Sequence, residues 1–558
     1  MSNSSYGYGA LSVADKQNLE KALRQGASRR DILNLLLAGG MYAALGSSVV
    51  AGATRANAAA PKKGGHLRVA TYASSTTDTL DPAKAIFNID FLRIHSIYDG
   101  LIRLDDTLAP QMELAEAIET RDAKTWTLKL RRGVSFHDGS AFTADDVVFS
   151  LKRHTDPAVG SNAKAIASQF ESIEKSGDDT VLVVLKAPNA DLPTIFGTPA
   201  FRIVKNGTTD FSKGIGTGPF VMEMFTPGER SICAANKNYW RQDAGPYIDS
   251  FELFAIQDEN ARVNALMSGD VDVIANVNPR SAPLLERAGY QLLKTVAGQY
   301  TDLIMRVDTD PGRNASFIEA IKLLLDREKI KQAVFRGFAE VANDQPVPPS
   351  SRYYAQNLKA RAFDPDQAKS LLSKAGLLNT KIPVVASSAA EQSVEIAVLL
   401  QQAARTIGLD IEINRMPPDG YWSKYWMKAP ISFGSINPRP SPDIMFSLFY
   451  ASDSSTNESG WKNERFGALL AEARGTTDET RRTEMYGEIQ GIVSRDCGTA
   501  IPTFITGIDG YSAKVKGFIP NPRDQNLCAQ SLNPMDMIIQ GWSASLFQAW
   551  QQWSRMLA

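Results

Sequence analysis

The amino-acid sequence predicts an α/β fold, because segments with strand periodicity alternate with segments with helix periodicity. Residues 126–130 alternate apolar and polar side chains, as a half-buried strand does. The stretches 382–388 and 409–416 are typical of strands and flank a predicted helix over 393–407. The sequence contains no internal repeat, so repeat architectures are excluded.

The first elements are predicted to be a strand over 64–74, a polar loop and a helix over 86–98. The alternating strand that follows leads into a turn at 138–139, since Asp-Gly is a strong turn pair. A helix then begins after Thr143. Threonine is a good N-cap, and Asp146 three residues later completes a capping-box-like pair.

The rest of the chain continues this alternation. Gly214, Gly216 and Gly218 match neither the dinucleotide-binding nor the phosphate-loop pattern, so they predict a tight turn into a strand and no cofactor site. The remaining predicted elements are a strand over 180–188, a strand over 214–225, a helix and a strand that flank Gly269 over 259–274, one amphipathic helix over 315–335, and a helix over 364–377 with Pro365 in its first turn and Gly376 at its end.

Residues 135–153 have the density of polar side chains that an active site requires, yet their spacing indicates structural roles. Asp138 belongs to the turn, while Asp145 and Asp146 lie in the first helical turn, where the dipole favours negative charge. The four histidines of the chain are His66, His95, His137 and His154, and none lie at H-x-x-x-H spacing. We therefore predict no catalytic residue and no metal site.

Composition and motifs exclude several functions. With a net charge of -1, the chain has no basic field to hold nucleic acid or an anionic membrane. Hydrophobic residues at 43% and charged residues at 22% are typical of a globular protein. A periplasmic hydrolase remains the alternative from another class, but G-x-S-x-G, H-E-x-x-H and paired-cysteine motifs do not occur.

The N-terminal region predicts export. The pair Arg29–Arg30 precedes an apolar run over 32–53 that glycines dilute, and residues 56–58 form a cleavage pattern of small residues. Together they resemble a twin-arginine export signal over 1–58, which implies delivery of a folded protein to the periplasm. A single membrane anchor of about 20 residues is the alternative.

Several segments in a fixed order resemble the extracytoplasmic solute-binding proteins of the peptide/opine/nickel class of ABC importers, known as family 5. They are 108–153, with its run TADDVVFSLKR, and 215–220, 256–273, 363–376 and 460–493. The resemblance implies a two-lobed periplasmic-binding-protein fold of type II with an additional inserted domain. The first lobe would combine 61–103, 214–298 and 500–558, the inserted domain would span 104–213, and the second lobe would span 299–499.

The resemblance also implies a function. The protein would capture a small polar organic solute, peptide-like or opine-like, by closure of the lobes about a hinge. It would deliver this ligand to ABC permease and ATPase subunits at the inner membrane, as a monomer without cofactor or nucleic acid. Service to a chemoreceptor or to protein folding, with the same fold, is left open.

Three segments correspond to the parts of the family that touch the ligand, namely 74–79, 298–302 and 434–443. The site residues that the resemblance implies there are Thr76, Thr77, Asp78, Tyr300, Asn437, Arg439 and Asp443. Tyr421, Trp422 and Trp461 are candidate aromatic walls, with ordinary packing as the alternative for each.

Departures from the family pattern change the expected ligand. Dipeptide binders carry an acidic residue in the second-lobe loop and an arginine after a second-lobe strand, but this chain has Pro438 and Arg439 in the first place and SSAAEQS, 387–393, in the second. Asp443 alternatively belongs to the helix that follows. Arg439 favours a ligand with a carboxylate or phosphate, with an ordinary surface arginine in a proline-rich loop as the alternative. The departures argue against an ordinary dipeptide, and the expected ligands are a sugar–amino acid conjugate of the opine kind, a modified peptide or an oligosaccharide. A nickel chelate is less favoured, because the three loops lack histidine.

Two further features depend on the fold. Cys497 and Cys528 are close enough in sequence to bridge in an oxidising compartment, which the sequence leaves open, while Cys233 is predicted to be a small buried residue. The C-terminus carries an apolar stripe at helical spacing, predicted to pack on the first lobe, with a membrane or permease contact as the alternative. The stripe consists of Trp542, Leu546, Phe547, Trp550, Trp553 and Leu557.

Overall fold

The computed structural model describes residues 63–105, 107–241, 245–517 and 538–539. The predicted export signal, Cys528 and the C-terminal apolar stripe lie outside these residues. No helix in the described ranges is both long and apolar enough to cross a membrane. Within the same ranges, no group of three or more histidine, cysteine, aspartate or glutamate side chains is placed to hold a metal ion.

The described elements alternate as the sequence predicts. The strands are β1 (His66–Thr71), β2 (Ile102–Leu104), β3 (Pro110–Met112), β4 (Ala115–Thr120), β5 (Thr125–Leu130), β6 (Phe170–Gly177), β7 (Thr180–Leu185), β8 (Phe220–Thr226), β9 (Arg230–Ala235), β10 (Ser250–Ala255), β11 (Val273–Ile274), β12 (Gln291–Met305), β13 (Ala339–Val341), β14 (Lys381–Ala386), β15 (Asp410–Arg415), β16 (Ile431–Ile436), β17 (Thr499–Ala500), β18 (Thr503–Tyr511), β19 (Val515–Lys516) and β20 (Ile538–Ile539). The helices are α1 (Asn88–Ile97), α2 (Ala144–Lys152), α3 (Lys164–Ala167), α4 (Leu192–Phe196), α5 (Glu259–Ser268), α6 (Ala282–Arg287), α7 (Ala315–Leu324), α8 (Arg327–Ala333), α9 (Pro365–Lys374), α10 (Ser393–Arg405), α11 (Tyr421–Lys424), α12 (Pro442–Phe449), α13 (Glu464–Gly475) and α14 (Glu479–Asp496).

The largest sheet has ten strands and is mixed. Its main path runs β16–β12–β18–β11–β1–β10–β9–β8, with β13 paired to β18 and β17 to β12. Strand β1 pairs in parallel with β10 and β11, whereas β12 pairs antiparallel with β16 and β18. A separate four-stranded sheet has the order β4–β5–β7–β6. The fold is therefore of the predicted α/β class.

The buried apolar residues form separate cores. One core draws its fully buried members only from 101–203. Two cores combine residues of 67–293 with 508 and 515, and two others draw on 300–505. This distribution agrees with two lobes and an inserted domain, whose exact boundaries stay a prediction.

Strands β12 and β18 connect the two groups of cores. They pair from Gln291 opposite Tyr511 to Tyr300 opposite Phe504, and the register shifts between Val296 and Tyr300. A bulge bends a strand locally and breaks the regular ladder. The two lobes are therefore connected by the paired strands β12 and β18, and the pairing of these strands is irregular between Val296 and Tyr300.

The local predictions for the first half of the chain are confirmed. Helix α2 begins after Thr143, whose N–H and hydroxyl both donate to the Asp146 carboxylate at 2.7 and 2.9 Å. His137 is a structural residue, because its Nε2 donates to the Gly218 carbonyl at 3.0 Å and its Nδ1 accepts from the Gly216 N–H at 3.3 Å. Cys233 is fully buried, as predicted, and Cys497 is buried without a disulfide partner among the described residues.

The close approach of the glycine turn to α1 explains why glycine occupies 216. A Cβ at Gly216 would lie 2.1 Å from the Ile97 carbonyl oxygen, well inside van der Waals contact. The Gly218 N–H donates to the same carbonyl at 2.8 Å. The turn therefore packs the start of β8 against the end of α1.

The prediction of one continuous helix over 315–335 is wrong. Two helices occupy this stretch, because Leu325 takes an extended conformation and ends α7. The Asp326 side chain then accepts a hydrogen bond from the Lys329 N–H at 3.0 Å and caps α8. Apolar periodicity continues through the break, so the pattern alone did not reveal it.

Candidate functional site

The second-lobe loop is shorter than the predicted stretch 434–443. Residues 434–436 complete β16, and α12 begins at Pro442 with Ser441 as its N-cap. The Ser441 hydroxyl accepts a hydrogen bond from the Ile444 N–H at 3.3 Å. The loop proper is therefore confined to 437–441, between a strand end and a helix start. Both ends of this short loop are fixed by regular structure.

Arg439 lies in this loop without a carboxylate partner. Its Nη1 donates to the backbone carbonyls of Asn437 and Pro438 at 2.9 and 3.1 Å. The guanidinium lies over the Phe449 ring, 5.3 Å from its centroid. The side chain is half-buried, burial lowers its pKa, and no carboxylate of the described residues lies within ion-pair distance. A positioned cation that lacks a counter-ion favours an anionic ligand.

Tyr300 lies beneath this loop in an apolar core. It is fully buried, and its hydroxyl lies 3.4 Å from the Tyr450 hydroxyl and 3.8 Å from Met445 Sδ. Its ring packs edge-on against Phe504 at a centroid distance of 6.2 Å. Burial raises the pKa of the Tyr300 phenol well above its usual value. Tyr300 is thus a core residue that packs beneath the loop.

Asp443 is occupied by an ion pair. It lies in the first turn of α12, and the Arg474 Nε donates to both of its carboxylate oxygens at 3.0 and 3.1 Å. Burial raises the pKa of Asp443 to about 6, against the opposing effect of Arg474. The alternative that Asp443 belongs to the helix fits this geometry. We therefore leave Asp443 out of the site proposed below.

The three candidate aromatic walls differ in exposure. Tyr421 is fully buried, and its hydroxyl donates to the Phe433 carbonyl at 2.8 Å. Trp461 is buried against Phe466, with ring centroids 5.2 Å apart. Trp422 is 41% exposed and packs edge-on against Tyr421. Of the three, Trp422 retains a ring surface that a ligand can reach.

The first-lobe loop contributes one buried and two exposed candidates. The Asp78 carboxylate accepts from Arg93 Nη1 at 3.0 Å, from the Ser74 hydroxyl at 2.5 Å and from the Ser75 N–H at 2.8 Å. Asp78 therefore organises the loop internally. Thr76 and Thr77 are exposed on the same loop.

Two carboxyl groups that the sequence did not single out lie next to the second-lobe loop. Asp302 on β12 and Glu458 are both buried, and each carboxyl group acts on the pKa of the other. The Trp426 Nε1 donates to Glu458 at 2.6 Å. Neither Asp302 oxygen has a hydrogen-bond donor among the described residues. Two buried carboxyl groups side by side disfavour a second charge, so one of them keeps a proton.

Burial explains why this proton is retained. It raises the pKa of Asp302 to about 7 and, with the neighbouring Asp302 charge, raises that of Glu458 well above its usual value. No cation faces the pair among the residues that act on these two pKa values. One signal for Asp302 was present in the sequence, because it shares a strand face with Tyr300 and Ile304, where an apolar residue is expected. Glu458 carried no such signal.

Gly434 on β16 lies directly against the carboxyl groups of Asp302 and Glu458. A Cβ at this position would lie 2.4 Å from Asp302 Oδ1 and 2.5 Å from Glu458 Oε1. A side chain at 434 would therefore require both buried carboxyl groups to shift.

We expect Gly434→Ala to destabilise the protein by about 1–3 kcal/mol, since overpacking of a closed site has that effect. Urea unfolding of the variant and of Gly467→Ala is the measurement, because a Cβ at Gly467 meets nothing within 4 Å. Equal midpoints for Gly434→Ala and the wild type would contradict the close packing described here.

Comparison with known proteins identifies the class. Heme-binding protein A of Haemophilus influenzae is 26% identical over 473 residues, which cover 77% of this chain and 84% of the relative. Glutathione-binding protein GsiB of Escherichia coli strain K12 is 26% identical over 471 residues, which cover 81% and 91%. The solved structure of HbpA2 from Haemophilus parasuis superposes with a TM-score of 0.75 at 23% identity, over 83% of this chain and 98% of that one. The fold is thus that of the periplasmic binding proteins, two lobes with an inserted domain.

The family follows from the match of residues 109–457 to the model described as bacterial extracellular solute-binding proteins, family 5 Middle. The chain belongs to family 5 of the bacterial extracellular solute-binding proteins. It is accordingly a binding component of an ABC importer, and the two curated relatives named above are binding proteins rather than enzymes. The predicted family and function are confirmed.

Proposed function

We propose that this protein binds a small polar organic solute that carries a carboxylate or phosphate, and delivers it to an ABC permease. The ligand would be peptide-like or opine-like, held between the lobes. The observation that carries the proposal is the half-buried Arg439 guanidinium, which two backbone carbonyls and the Phe449 ring hold in place without a carboxylate. Guanidinium pairs with either anion through two parallel hydrogen bonds.

The proposed site combines the accessible members of the predicted set. Arg439 would bind the anion, Asn437 would contribute a side-chain amide, and Trp422 would contact an apolar part of the ligand. Thr76 and Thr77 would approach from the first lobe when the lobes close. Tyr300, Tyr421 and Trp461 would support this surface from the core.

The remaining features of the proposal concern context. We propose export to the periplasm by the twin-arginine-type signal over 1–58, and action as a monomer without chemical conversion of the ligand. The first lobe would combine 61–103, 214–298 and 500–558, with the inserted domain over 104–213 and the second lobe over 299–499. The name of the relative GsiB supports an anionic ligand, since glutathione is a modified peptide that carries carboxylates.

Thermal shift with a ligand panel tests the proposal. The panel contains dipeptides, longer peptides, glutathione, opine-type conjugates, oligosaccharides and nickel. A ligand at 100 times its Kd stabilises the protein by about 2.7 kcal/mol. We expect this shift with anionic conjugates, and we expect chromatography to recover them unchanged. A shift with plain dipeptides alone, or a converted ligand, would contradict the proposal.

The Arg439→Ala variant tests the anion site directly. We expect it to lose affinity for the anionic ligand by at least about tenfold, because a charge-assisted hydrogen bond contributes about 1.5–3 kcal/mol. Isothermal titration measures this loss. The control is Arg415→Ala, since Arg415 is an exposed arginine at the end of β15. Equal loss in both variants would indicate a general effect of net charge.

A further inference from the structure

The inserted domain and the second lobe are in contact beside the start of α4. Asp191 forms an ion pair with Arg482, a residue 291 positions later in the chain. Both side chains are almost fully buried. The Ala190 N–H donates to the Arg474 carbonyl at 2.7 Å beside this pair. A buried ion pair that spans two separate cores is a costly contact unless its geometry is well fixed.

The two sides of this contact belong to different bodies. Asp191 precedes α4, whose Leu192 and Phe196 lie in the core of 101–203. Arg482 lies on α14, whose Met485 lies in a core of the second lobe. The contact is therefore between bodies and not within one.

The inserted domain is in turn fixed to the first lobe. Arg153 donates to both oxygens of Asp81, just after β1, at 2.7 and 2.8 Å. Arg202 donates to the His95 ring on α1 at 2.7 Å. Because these contacts fix the inserted domain to the first lobe, the two move together. A rotation of the lobes about β12 and β18 therefore acts directly on the contact between Asp191 and Arg482.

The arginine side of the contact is also held by residues of its own lobe. Arg482 Nη1 donates to the Tyr353 hydroxyl at 2.7 Å, and its Nε donates to the Ala473 carbonyl at 3.2 Å. On the other side, Asp191 Oδ2 has no hydrogen-bond partner among the described residues. Loss of Arg482 therefore leaves a buried carboxylate without a counter-ion.

Open space adjoins this contact. A groove of about 940 Å³ runs beside it, with walls from both bodies. Trp126, Thr194, Arg352 and Glu479 are among its lining residues. Arg482 lines the same groove, so the ion pair lies next to open space.

We propose that the Asp191–Arg482 ion pair and the Ala190–Arg474 backbone bond form a latch that sets the balance between the open and closed arrangements of the lobes. The latch joins the start of α4 in the inserted domain to α14 in the second lobe. It stabilises the closed arrangement even without ligand, and so sets how long a captured solute stays bound. This inference rests on the proposed closure of the lobes but not on the identity of the ligand.

Hydrogen exchange of the ligand-free full-length protein tests the latch. We expect Arg482→Gln to accelerate exchange of the Ala190 amide by at least about tenfold, because breaking a buried ion pair releases the contact that protects it. Small-angle scattering should show a larger radius of gyration. Asp191→Asn replaces Arg482→Gln as the test if the latter fails to fold.

Arg153→Gln is the matched control, since it breaks a buried ion pair between the inserted domain and the first lobe. It is expected to lower the thermal midpoint without selective exchange at Ala190. Equal acceleration at Ala190 in both variants, or wild-type exchange in Arg482→Gln, would overturn the latch. Either result would leave the proposed ligand site untouched.

A disulfide provides the opposite perturbation. A Cβ at Gly475 lies 3.5 Å from Pro188 Cβ across the same contact, a separation that suits a disulfide. We expect oxidised Pro188→Cys/Gly475→Cys to restore slow exchange at Ala190 in the Arg482→Gln background, and reduction to reverse this. Fast exchange in the oxidised form would show that opening occurs elsewhere and would overturn the latch.

Discussion

Asp302→Asn is expected to raise the thermal midpoint of the protein at pH 8 and to leave it nearly unchanged at pH 4. In the folded protein the pKa of Asp302 is raised to about 7, from about 4 in the unfolded chain. The folded state therefore holds more protons between these values, and stability falls as pH rises from about 4 to about 7. The loss is about 4 kcal/mol across this window. Asparagine keeps the shape of the side chain and removes the charge that causes the loss.

Calorimetric scans from pH 4 to pH 8 measure this effect. Asp122→Asn is the control, since hydrogen bonds hold the pKa of this exposed carboxylate at about 2, outside the window. Other raised carboxyl groups, such as Asp99 with a pKa of about 7, act equally on wild type and variant and cancel in the difference. Parallel curves for Asp302→Asn and the wild type would show that the pair with Glu458 does not share a proton.

The pair has a consequence for the binding surface. Above pH 7 Asp302 is ionised, whereas Glu458, whose pKa is raised well above its usual value, keeps its proton, so a charge without a facing cation is buried here. Gly434 lies against both carboxyl groups, so this charge acts on the end of β16 and on the loop that carries Arg439. The same substitution that stabilises the protein at pH 8 should therefore also make the loop less sensitive to pH.

Features set by near neighbours in the sequence could be predicted. Thr143 and Asp146 lie three residues apart, so their reciprocal hydrogen bonds are local chemistry. The turn at Gly269, with a φ of 81°, ends α5 as predicted. Strands β14 and β15 pair in parallel on either side of α10, which follows from the alternation of periods.

Features set by distant neighbours could not be predicted. Asp302 and Glu458 are far apart in the chain, and nothing in either local sequence reports that they meet. Tyr421 and Trp461 have the composition of a ligand wall, yet they are buried in cores. Aromatic residues serve packing and recognition with the same chemistry, so only the surrounding residues separate the two roles.

The anion-binding role of Arg439 stays a prediction. It came from an absence, because the two charged residues that dipeptide binders carry are not found at the corresponding positions of this chain. The Arg439 guanidinium has no carboxylate partner among the described residues. The resemblance placed the loop, whereas the guanidinium chemistry suggested the ligand class. The predicted loop began at 434, whereas β16 continues to Ile436, so its length was not predicted correctly.

Asp344→Asn is expected to destabilise the protein by about 3–5 kcal/mol at pH 7, which is the usual effect of breaking a buried ion pair from one side. Asp344 is fully buried and accepts hydrogen bonds from Arg327 Nη2 at 2.8 and 2.7 Å, from Arg361 Nη1 at 2.8 Å and from the Ile501 N–H at 3.1 Å. Asparagine suits its left-handed conformation, with a φ of 60°, so the change removes charge without backbone strain. Arg327 and the buried Lys322 then lose their counter-ion.

The pH dependence identifies the cause of this effect. Burial alone would raise the pKa of Asp344, but Arg327, Lys322 and Arg361 hold it below its usual value. Its contribution is therefore complete above pH 4 and is lost as pH falls, so wild type and variant should converge in acid. Urea unfolding at pH 7 and pH 3 tests this, with Glu412→Ala as the control. Glu412 pairs with Lys381 on the surface, where an ion pair contributes under about 1 kcal/mol. A constant difference at both pH values would assign the loss to packing rather than to charge.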